Sequence, residues 1–315
     1  MRVAVLPTGR TEWYGLARAL GRLFPGHTFY SLPTAAEVAS NPDGFPLAGF
    51  TSVPLKDSHE QDPPEAAREL VARAAQEALG DLRSAAADLV LIVDDVELPN
   101  MGQPARVVSV LRGAARAHLD GLRDTGHRAK TAAALRDKVS FHLAAPMIEG
   151  WFFADADALA RAGVPSGANI QFAAATDPEA FATYDPAYLA ATEADCPALA
   201  ALSPQSKKTK QRPKWLGSLP RESHPKGYLQ WLCREPAANS CTSYSESQSG
   251  ARALAEISWS RLLGRPAAHF GLLRALVEDL EAGLGATSTA GGARGAASPW
   301  TAWTASASGK VLRNI

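Results

Sequence analysis

The chain contains only three cysteines among its 315 residues, Cys196, Cys233 and Cys241, and no two of them form a CxxC pair. His224, Cys233 and Cys241 do not have the spacing of a standard zinc site, which argues against a structural zinc ion. No secretory leader is recognisable at the start of the sequence. We therefore expect reduced thiols in a cytoplasmic protein.

The sequence also lacks an excess of either charge and any long apolar run. Its 32 lysines and arginines balance its 32 aspartates and glutamates, so net charge alone does not attract the chain to nucleic acid. No apolar run approaches the ~20 residues that a membrane-spanning helix needs, and we expect no membrane partner. Nothing in the composition indicates an oligomeric state.

Three common catalytic signatures are missing. There is no GxSxG nucleophile elbow and no GxxxxGK[ST] phosphate loop. Gly9 is the only glycine in the turn that follows the first predicted strand, so the dinucleotide-binding fingerprint is absent as well. A Ser-His-Asp triad built from distant residues stays open, because such triads are recognised by geometry and not by spacing.

What the sequence does contain is an acidic cluster at the end of an apolar run. The run from Leu89 to Val93 is typical of a strand buried on both faces of a parallel sheet, and Asp94, Asp95 and Glu97 follow it at once. Open α/β sheets place functional groups beyond the carboxyl ends of their strands. Adjacent carboxylates repel one another unless a cation lies among them, and a divalent metal with oxygen ligands fits that role. An acidic turn that merely ends a core strand is the alternative interpretation.

Strands and helices alternate over residues 1–165, which predicts an α/β domain with a doubly wound parallel sheet flanked by helices. We expect a mostly helical, partly basic region over 166–285 and a disordered low-complexity tail over 286–315. The predicted strands are 2–7, 27–32, 89–93 and 139–145, and the predicted helices are 13–24, 64–80, 104–122, 224–234, 248–263 and 266–284.

The most basic segment of the chain runs from residue 207 to residue 215. A positively charged segment next to an aromatic residue can follow a nucleic-acid backbone and stack a base, although a solvated charged loop has the same composition. The candidate nucleic-acid-binding residues are Lys207, Lys208, Lys210, Arg212, Lys214 and Trp215.

Three motifs occur in an order that resembles a known family. They are residues 8–12 (TGRTE) after the first strand, residues 94–99 (DDVELP) after the central strand, and residues 148–155 (IEGWFFAD) after the next strand. This arrangement resembles the Toprim fold, and in particular the Toprim-like proteins of bacterial anti-phage defence loci that are related to the overcoming-lysogenization-defect nucleases. The resemblance covers about the first 160 residues and extends more loosely to Lys226 and Tyr244.

The resemblance implies a metal-dependent nuclease that uses Mg²⁺ or Mn²⁺ to cleave phosphodiesters. It places five carboxylates at metal-ligand positions, namely Glu12, Asp94, Asp95, Glu97 and Glu149. Among them Glu12, Asp94, Asp95 and Glu149 are also the candidate catalytic residues, together with Lys226 as the cation that stabilises the transition-state phosphate. We expect Glu12, Asp94 or Asp95, and Glu149 to converge within reach of one ion.

One departure from the family pattern concerns Thr8, which stands where the family has a glutamate. A threonine hydroxyl does not ionise at neutral pH, so it offers no charged oxygen and cannot replace a carboxylate as a general acid or base. Glu12 could then take over the role, or the site could be weak, or the protein could be a catalytically silent partner that docks an ATPase in trans. Taken alone, Glu12 is better explained as a first-turn helix acid, and Glu149 is explained equally well as a solvated helix residue.

Overall fold

A parallel sheet of four strands forms the centre of the protein in the computed structural model, which describes residues 1–40, 47–80, 85–173, 175–200, 212–217, 220–235, 240–290, 300–301 and 309–315. The strands lie in the order β2-β1-β3-β4. They are β1 (Arg2–Pro7), β2 (Thr28–Ser31), β3 (Leu89–Asp95) and β4 (Val139–Ala144). The predicted α/β class with a parallel sheet flanked by helices is confirmed.

The strand β3 is buried along its whole length, as its apolar run predicts. Because successive side chains of a strand point to opposite faces, Leu91 and Val93 enter one hydrophobic core while Val90 and Ile92 enter the other. The same alternation directs Asp94 and Asp95, the last two residues of β3, to opposite faces of the sheet.

Helices cover both faces. The first core packs α1 against the sheet, and the second packs α4 and α5. The helices up to the third motif are α1 (Arg10–Leu23), α2 (Ala35–Ser40), α3 (Ser58–Gln61), α4 (Glu65–Leu79), α5 (Pro104–Gly121), α6 (Thr125–Lys138) and α7 (Ala156–Ala162). A 3₁₀ segment, Ile148–Ala154, connects β4 to α7. Helix α6 was not predicted, because its apolar residues do not form a continuous stripe.

The region after α7 is helical, as expected. Its Leu254 and Leu273 share the α1-side core with Val5 and Leu91, and its Leu272 and Ala275 enter the core on the other side. Its helices are α8 (Pro186–Leu189), α9 (Pro197–Ala200), α10 (Pro225–Leu232), α11 (Ala251–Ala255), α12 (Trp259–Leu263) and α13 (Gly271–Leu284). A π-helical turn, Glu246–Gly250, precedes α11. No helix in the described part of the chain has the length and apolarity needed to cross a membrane.

The single helix predicted over 248–263 is interrupted between α11 and α12. The Ser258 backbone N–H donates to the buried Asp155 carboxylate at 2.9 Å, and the Arg261 side chain also bonds Asp155. Asp155 additionally caps α7 by accepting from the Asp157 backbone N–H. The Asp155 carboxylate therefore caps α7 and also binds Ser258, the residue that precedes α12, and a hydrophobic pattern does not reveal this second contact.

The end of the predicted disordered tail is instead ordered against the sheet. The backbone N–H of Arg313 donates to the Val139 carbonyl, and the Asn314 amide bonds both the N–H and the carbonyl of Phe141. Leu312 and Ile315 are buried. The last residues thus satisfy backbone groups along β4, an edge strand, and the tail prediction is wrong for residues 309–315. Residues 291–299 and 302–308 lie outside the described residues.

The structure pairs Cys196 with Cys241 in a disulfide, which differs from the expectation of three reduced thiols. Cys233 is the free cysteine, and burial raises the pKa of its thiol to about 12. The pairing links the residue just before α9 to the segment before the π-helical turn, across 45 residues of sequence. Sequence spacing could not reveal it, because the two segments meet only in the folded chain.

A thiol count tests this pairing. In denaturant without reductant, the protein is expected to react with one equivalent of a thiol reagent, and with three after reduction. Cys196→Ser should lower the free energy of unfolding by ~4 kcal/mol, the chain-entropy value for a loop of 45 residues. Three reactive thiols in protein that was never exposed to reductant would contradict the pairing.

Candidate functional site

The candidate site lies at the carboxyl edge of the sheet. The strands β1, β3 and β4 run parallel and end side by side, so the three sequence motifs that follow them are brought together. Helix α1 begins at Arg10 after β1, and Ile148–Ala154 follows β4. This is the edge at which open α/β sheets carry their functional groups.

Glu149 is the most enclosed acidic residue of the site, with no exposed surface. Its Oε1 accepts hydrogen bonds from the Tyr244 hydroxyl at 2.9 Å and from the Thr11 hydroxyl at 3.2 Å. The Lys226 Nζ lies 3.4 Å from the same oxygen. The other oxygen, Oε2, is buried and has no hydrogen-bond partner among the described residues. A buried carboxylate oxygen without a partner is unfavourable unless a ligand satisfies it.

Glu12 and Asp95 lie beside Glu149. The Glu12 carboxylate folds back over Gly9, where a Cβ would lie 2.1 Å from Glu12 Oε2, so a larger residue at this position would displace the carboxylate. Asp95 Oδ1 accepts from the backbone N–H of Ile148 at 3.0 Å. Burial, followed by the charge of Glu149, raises the pKa of Glu12 to about 8. Burial and the charges of Glu12 and Glu149 raise the pKa of Asp95 well above its usual value.

Glu97 completes this group from a left-handed backbone conformation, with φ of 57°. Its N–H donates to the Pro146 carbonyl, which ties the turn after β3 to the turn after β4. Burial raises the pKa of Glu97, and Glu149 raises it further while Lys226 opposes the shift. Non-glycine residues with positive φ are uncommon and concentrate at functional sites. We call Glu12, Asp95, Glu97 and Glu149 the carboxylate cluster.

Asp94 is not part of this cluster, because strand alternation directs it to the opposite face from Asp95. Its two oxygens accept from the hydroxyls of Thr8, at 2.5 Å, and Thr51, at 3.4 Å. Burial raises the pKa of Asp94 to about 7 despite the Thr8 hydrogen bond. The Asp94 carboxylate is thus held by two hydroxyl groups and interacts with Glu97, whereas Asp95 interacts with Glu12 and Glu149.

Lys226 is the cation of the site. It lies in the first turn of α10, which the His224 ring caps by accepting from the Gly227 backbone N–H at 3.1 Å. Its Nζ lies 3.4 Å from Glu149 Oε1 and 3.5 Å from Glu246 Oε1. Burial alone would lower the pKa of Lys226, but the surrounding carboxylates outweigh it and hold the pKa well above its usual value. Lys226 is therefore charged and offsets part of the cluster's negative charge.

No group of three or more His, Cys, Asp or Glu side chains within the described ranges is arranged as a metal-binding set. Lys226 offsets part of the negative charge of the cluster, and the raised pKa values of Glu12 and Asp95 favour their protonated forms when no ion is bound. The donor chemistry nevertheless fits a hard divalent cation, because the cluster offers carboxylate oxygens and the partnerless Oε2 of Glu149.

The residues of the predicted basic segment differ in their exposure, and some of them lie outside the described part of the chain. Lys207, Lys208 and Lys210 lie outside the described residues, while Arg212 and Lys214 are exposed. Trp215 is fully buried, donates from Nε1 to the Cys241 carbonyl at 3.0 Å, and packs edge-on against Trp231. Its predicted role in base stacking is therefore wrong, because the side chain belongs to the hydrophobic core.

Several side chains shape the site although the sequence assigned them no role, and of these only Tyr244 was part of the looser family resemblance. Thr11 and Tyr244 hold the Glu149 carboxylate, Glu246 pairs with Lys226, and Thr51 binds Asp94. Thr11 was within reach of prediction, since it lies in the same helical turn as Glu12. Tyr244, Glu246 and Thr51 come from irregular segments whose position depends on tertiary packing.

A scan against protein-family models and searches of curated proteins and solved structures found no match to the chain.

Proposed function

We propose that the protein is a metal-dependent nuclease component that cleaves phosphodiesters in nucleic acid. The observation that carries the proposal is Glu149, a fully buried carboxylate with one oxygen held by three donors and the other without a partner, lying next to Asp95 and Glu12. Buried like charges with raised pKa values are unfavourable for stability and concentrate at functional sites. The resemblance of the three motifs to Toprim-like proteins supports the same chemistry.

Glu149, Asp95 and Glu12 would hold a Mg²⁺ or Mn²⁺ ion, with Glu97 at the border of the site. Such an ion stabilises charge on the reacting phosphate and activates water. Tyr244 and Thr11 fix the orientation of Glu149, so that Oε2 remains directed away from its donors. Lys226 would contact a non-bridging oxygen of the phosphate, as a cation that is already charged and enclosed.

The first test is a cleavage assay with the purified full chain. Incubation with Mg²⁺ or Mn²⁺ and a mixture of plasmid, single-stranded DNA and RNA is expected to give cleavage that EDTA abolishes. This assay also identifies the substrate among the three nucleic acids. Absence of cleavage with every substrate and both metals would contradict the proposal.

Thr8 is the residue that favours a second candidate, a catalytically silent Toprim-like partner. Its hydroxyl binds Asp94, a carboxylate that the family pattern assigns to the metal. Thr8→Glu is expected to raise cleavage or Mn²⁺ affinity if the site is weakened by the threonine, whereas Thr8→Ser should behave as wild type. If wild type and Thr8→Glu both fail to cut and to bind metal, the silent partner is the better account, and an ATPase bound in trans through residues 220–285 should then be sought.

An anti-phage role in the bacterial cytoplasm is part of the proposal, since foreign nucleic acid is met there. Cytoplasmic reductants keep most thiols reduced, so Cys196 and Cys241 would be expected to open in that compartment. Cleavage should therefore be compared with and without reductant, and the cytoplasmic assignment predicts that activity survives reduction.

A further inference from the structure

A basin of about 660 Å³ adjoins the carboxylate cluster. Its lining includes Tyr244 and Glu246, and these two residues also contact the site. The Tyr244 hydroxyl bonds Glu149, and Glu246 lies 3.5 Å from the Lys226 Nζ. The basin and the carboxylate cluster therefore share a wall, and a ligand bound in the basin lies next to the candidate metal site. Its volume falls within the ~300–1,000 Å³ range of ligand sites.

The charge of this basin is opposite to that of the cluster. Arg10, Arg212 and Lys214 line it with exposed side chains, and Glu246 is the single carboxylate among the described residues that line it. Arg212 also forms an ion pair with Glu193. Arg10 opens helix α1, and the first-turn N–H groups of a helix add positive potential at its start. An anionic ligand that the cluster would repel is attracted to this basin.

The uncharged lining is suited to sugar and phosphate rather than to bases. Gln230, Thr242 and Ser247 contribute amide and hydroxyl groups to the wall. Tyr244 is the single aromatic residue among the described residues that line the basin, and its hydroxyl is bound to Glu149. Trp215, the other candidate for stacking, is buried in the core. The wall thus offers cations and polar groups to a backbone without an open aromatic platform for bases.

We propose that this basin binds the sugar–phosphate backbone of the nucleic-acid strand presented to the carboxylate cluster, without stacking or reading its bases. The proposal rests on the proposed function for the identity of the ligand, but it concerns binding and not cleavage. It adds Arg10 to the candidate nucleic-acid-binding residues and removes Trp215 from them. It also predicts that binding does not depend on the base sequence of the strand.

Fluorescence anisotropy of a labelled 12-nucleotide dT strand in EDTA tests it without any metal chemistry. Arg10→Ala/Lys214→Ala is expected to raise Kd roughly tenfold and to flatten the salt dependence, since phosphate contacts carry both effects. Arg128→Ala/Arg136→Ala removes the same charge from exposed positions of α6 and should leave Kd unchanged. Both double variants should melt as wild type does, because all four side chains are exposed.

Three results would overturn the proposal: no binding of the strand by wild type, equal weakening by both double variants, or displacement by dTMP at the same concentration as by dT strands, which would indicate a free-nucleotide site. A mixed-sequence strand should bind within about threefold of dT, and a larger difference would show base readout. If the strand binds but no nucleic acid is cleaved, the basin proposal is supported and the nuclease proposal is wrong. If Arg10→Ala/Lys214→Ala neither weakens strand binding nor slows cleavage, the basin proposal is wrong and the nuclease proposal is still supported.

Discussion

Glu149→Gln is expected to reduce metal-dependent cleavage by roughly 10²–10³-fold or more while leaving the fold intact. Glutamine keeps the size of the side chain and can still accept from Tyr244 and Thr11 through its amide oxygen. It removes the charge that would hold the ion, and metal stabilisation of a reacting phosphate is worth several kcal/mol, with each ~1.4 kcal/mol equal to a factor of ten in rate. Initial rates at saturating Mn²⁺ measure the effect.

The matched control is Glu179→Gln. Glu179 is also a buried carboxylate with a pKa raised by burial to about 8, but it caps α13 by accepting from the N–H groups of Leu272 and Leu273. Its loss should lower the melting temperature and leave cleavage by the folded fraction unchanged. Equal loss of activity in both variants, or full activity in Glu149→Gln, would remove Glu149 from the metal site.

The second large effect is a fall in the free energy of unfolding as pH rises from about 5 to about 8 in the absence of metal. Burial raises the pKa of Glu12 from 4.5 to about 8 and that of Asp94 from 3.8 to about 7. The folded state therefore binds more protons than the unfolded state across this window, so stability is greatest below the unfolded pKa values and is lost as pH rises through the folded ones. A tenfold difference in proton affinity is worth ~1.4 kcal/mol, so the total change amounts to several kcal/mol.

Divalent metal should reverse this loss, because an ion replaces the protons among the carboxylates and stabilises the state that binds it. Urea unfolding at pH 5.5 and pH 8, with and without Mn²⁺, measures both effects. Mn²⁺ should stabilise wild type at pH 8 and much less at pH 5.5. Glu12→Gln should weaken the metal effect and Glu179→Gln should retain it. His224, with a pKa lowered to about 4 mainly by burial, acts in the opposite direction below its usual pKa. Stability that rises between pH 6.5 and pH 8, with no response to Mn²⁺, would contradict the account.

The parts of the fold that the sequence predicts are those whose burial shows in the residue pattern. The unbroken apolar run of β3 and the stripe of α1 identify a buried strand and a helix packed on the sheet. Helix α6 lacks such a stripe, and residues 309–315 are ordered by hydrogen bonds to β4 that no local pattern encodes. The burial of Trp215 could not be predicted either, because a tryptophan next to lysines is found both on binding surfaces and in hydrophobic cores.

For the candidate site, the parallel topology explains why the sequence could predict that distant motifs lie close together. Glu12, Asp95 and Glu149 each follow a strand whose carboxyl end lies at one edge. The separation of Asp94 from Asp95 was also within reach, because adjacent residues of a strand face opposite sides. The contact of Tyr244 with Glu149 could not be predicted, since it depends on how the helical region folds back over the sheet.

Calorimetric titration of Mn²⁺ into the metal-free protein at pH 8 tests the metal site most directly. The account predicts saturable binding, with a measured heat that varies with the ionisation enthalpy of the buffer because the cluster releases protons. It also predicts binding at least about tenfold weaker in Glu149→Gln, which loses the charge and the partnerless oxygen of the ligand set. Absence of saturable binding, or equal affinity in wild type and Glu149→Gln, would contradict it.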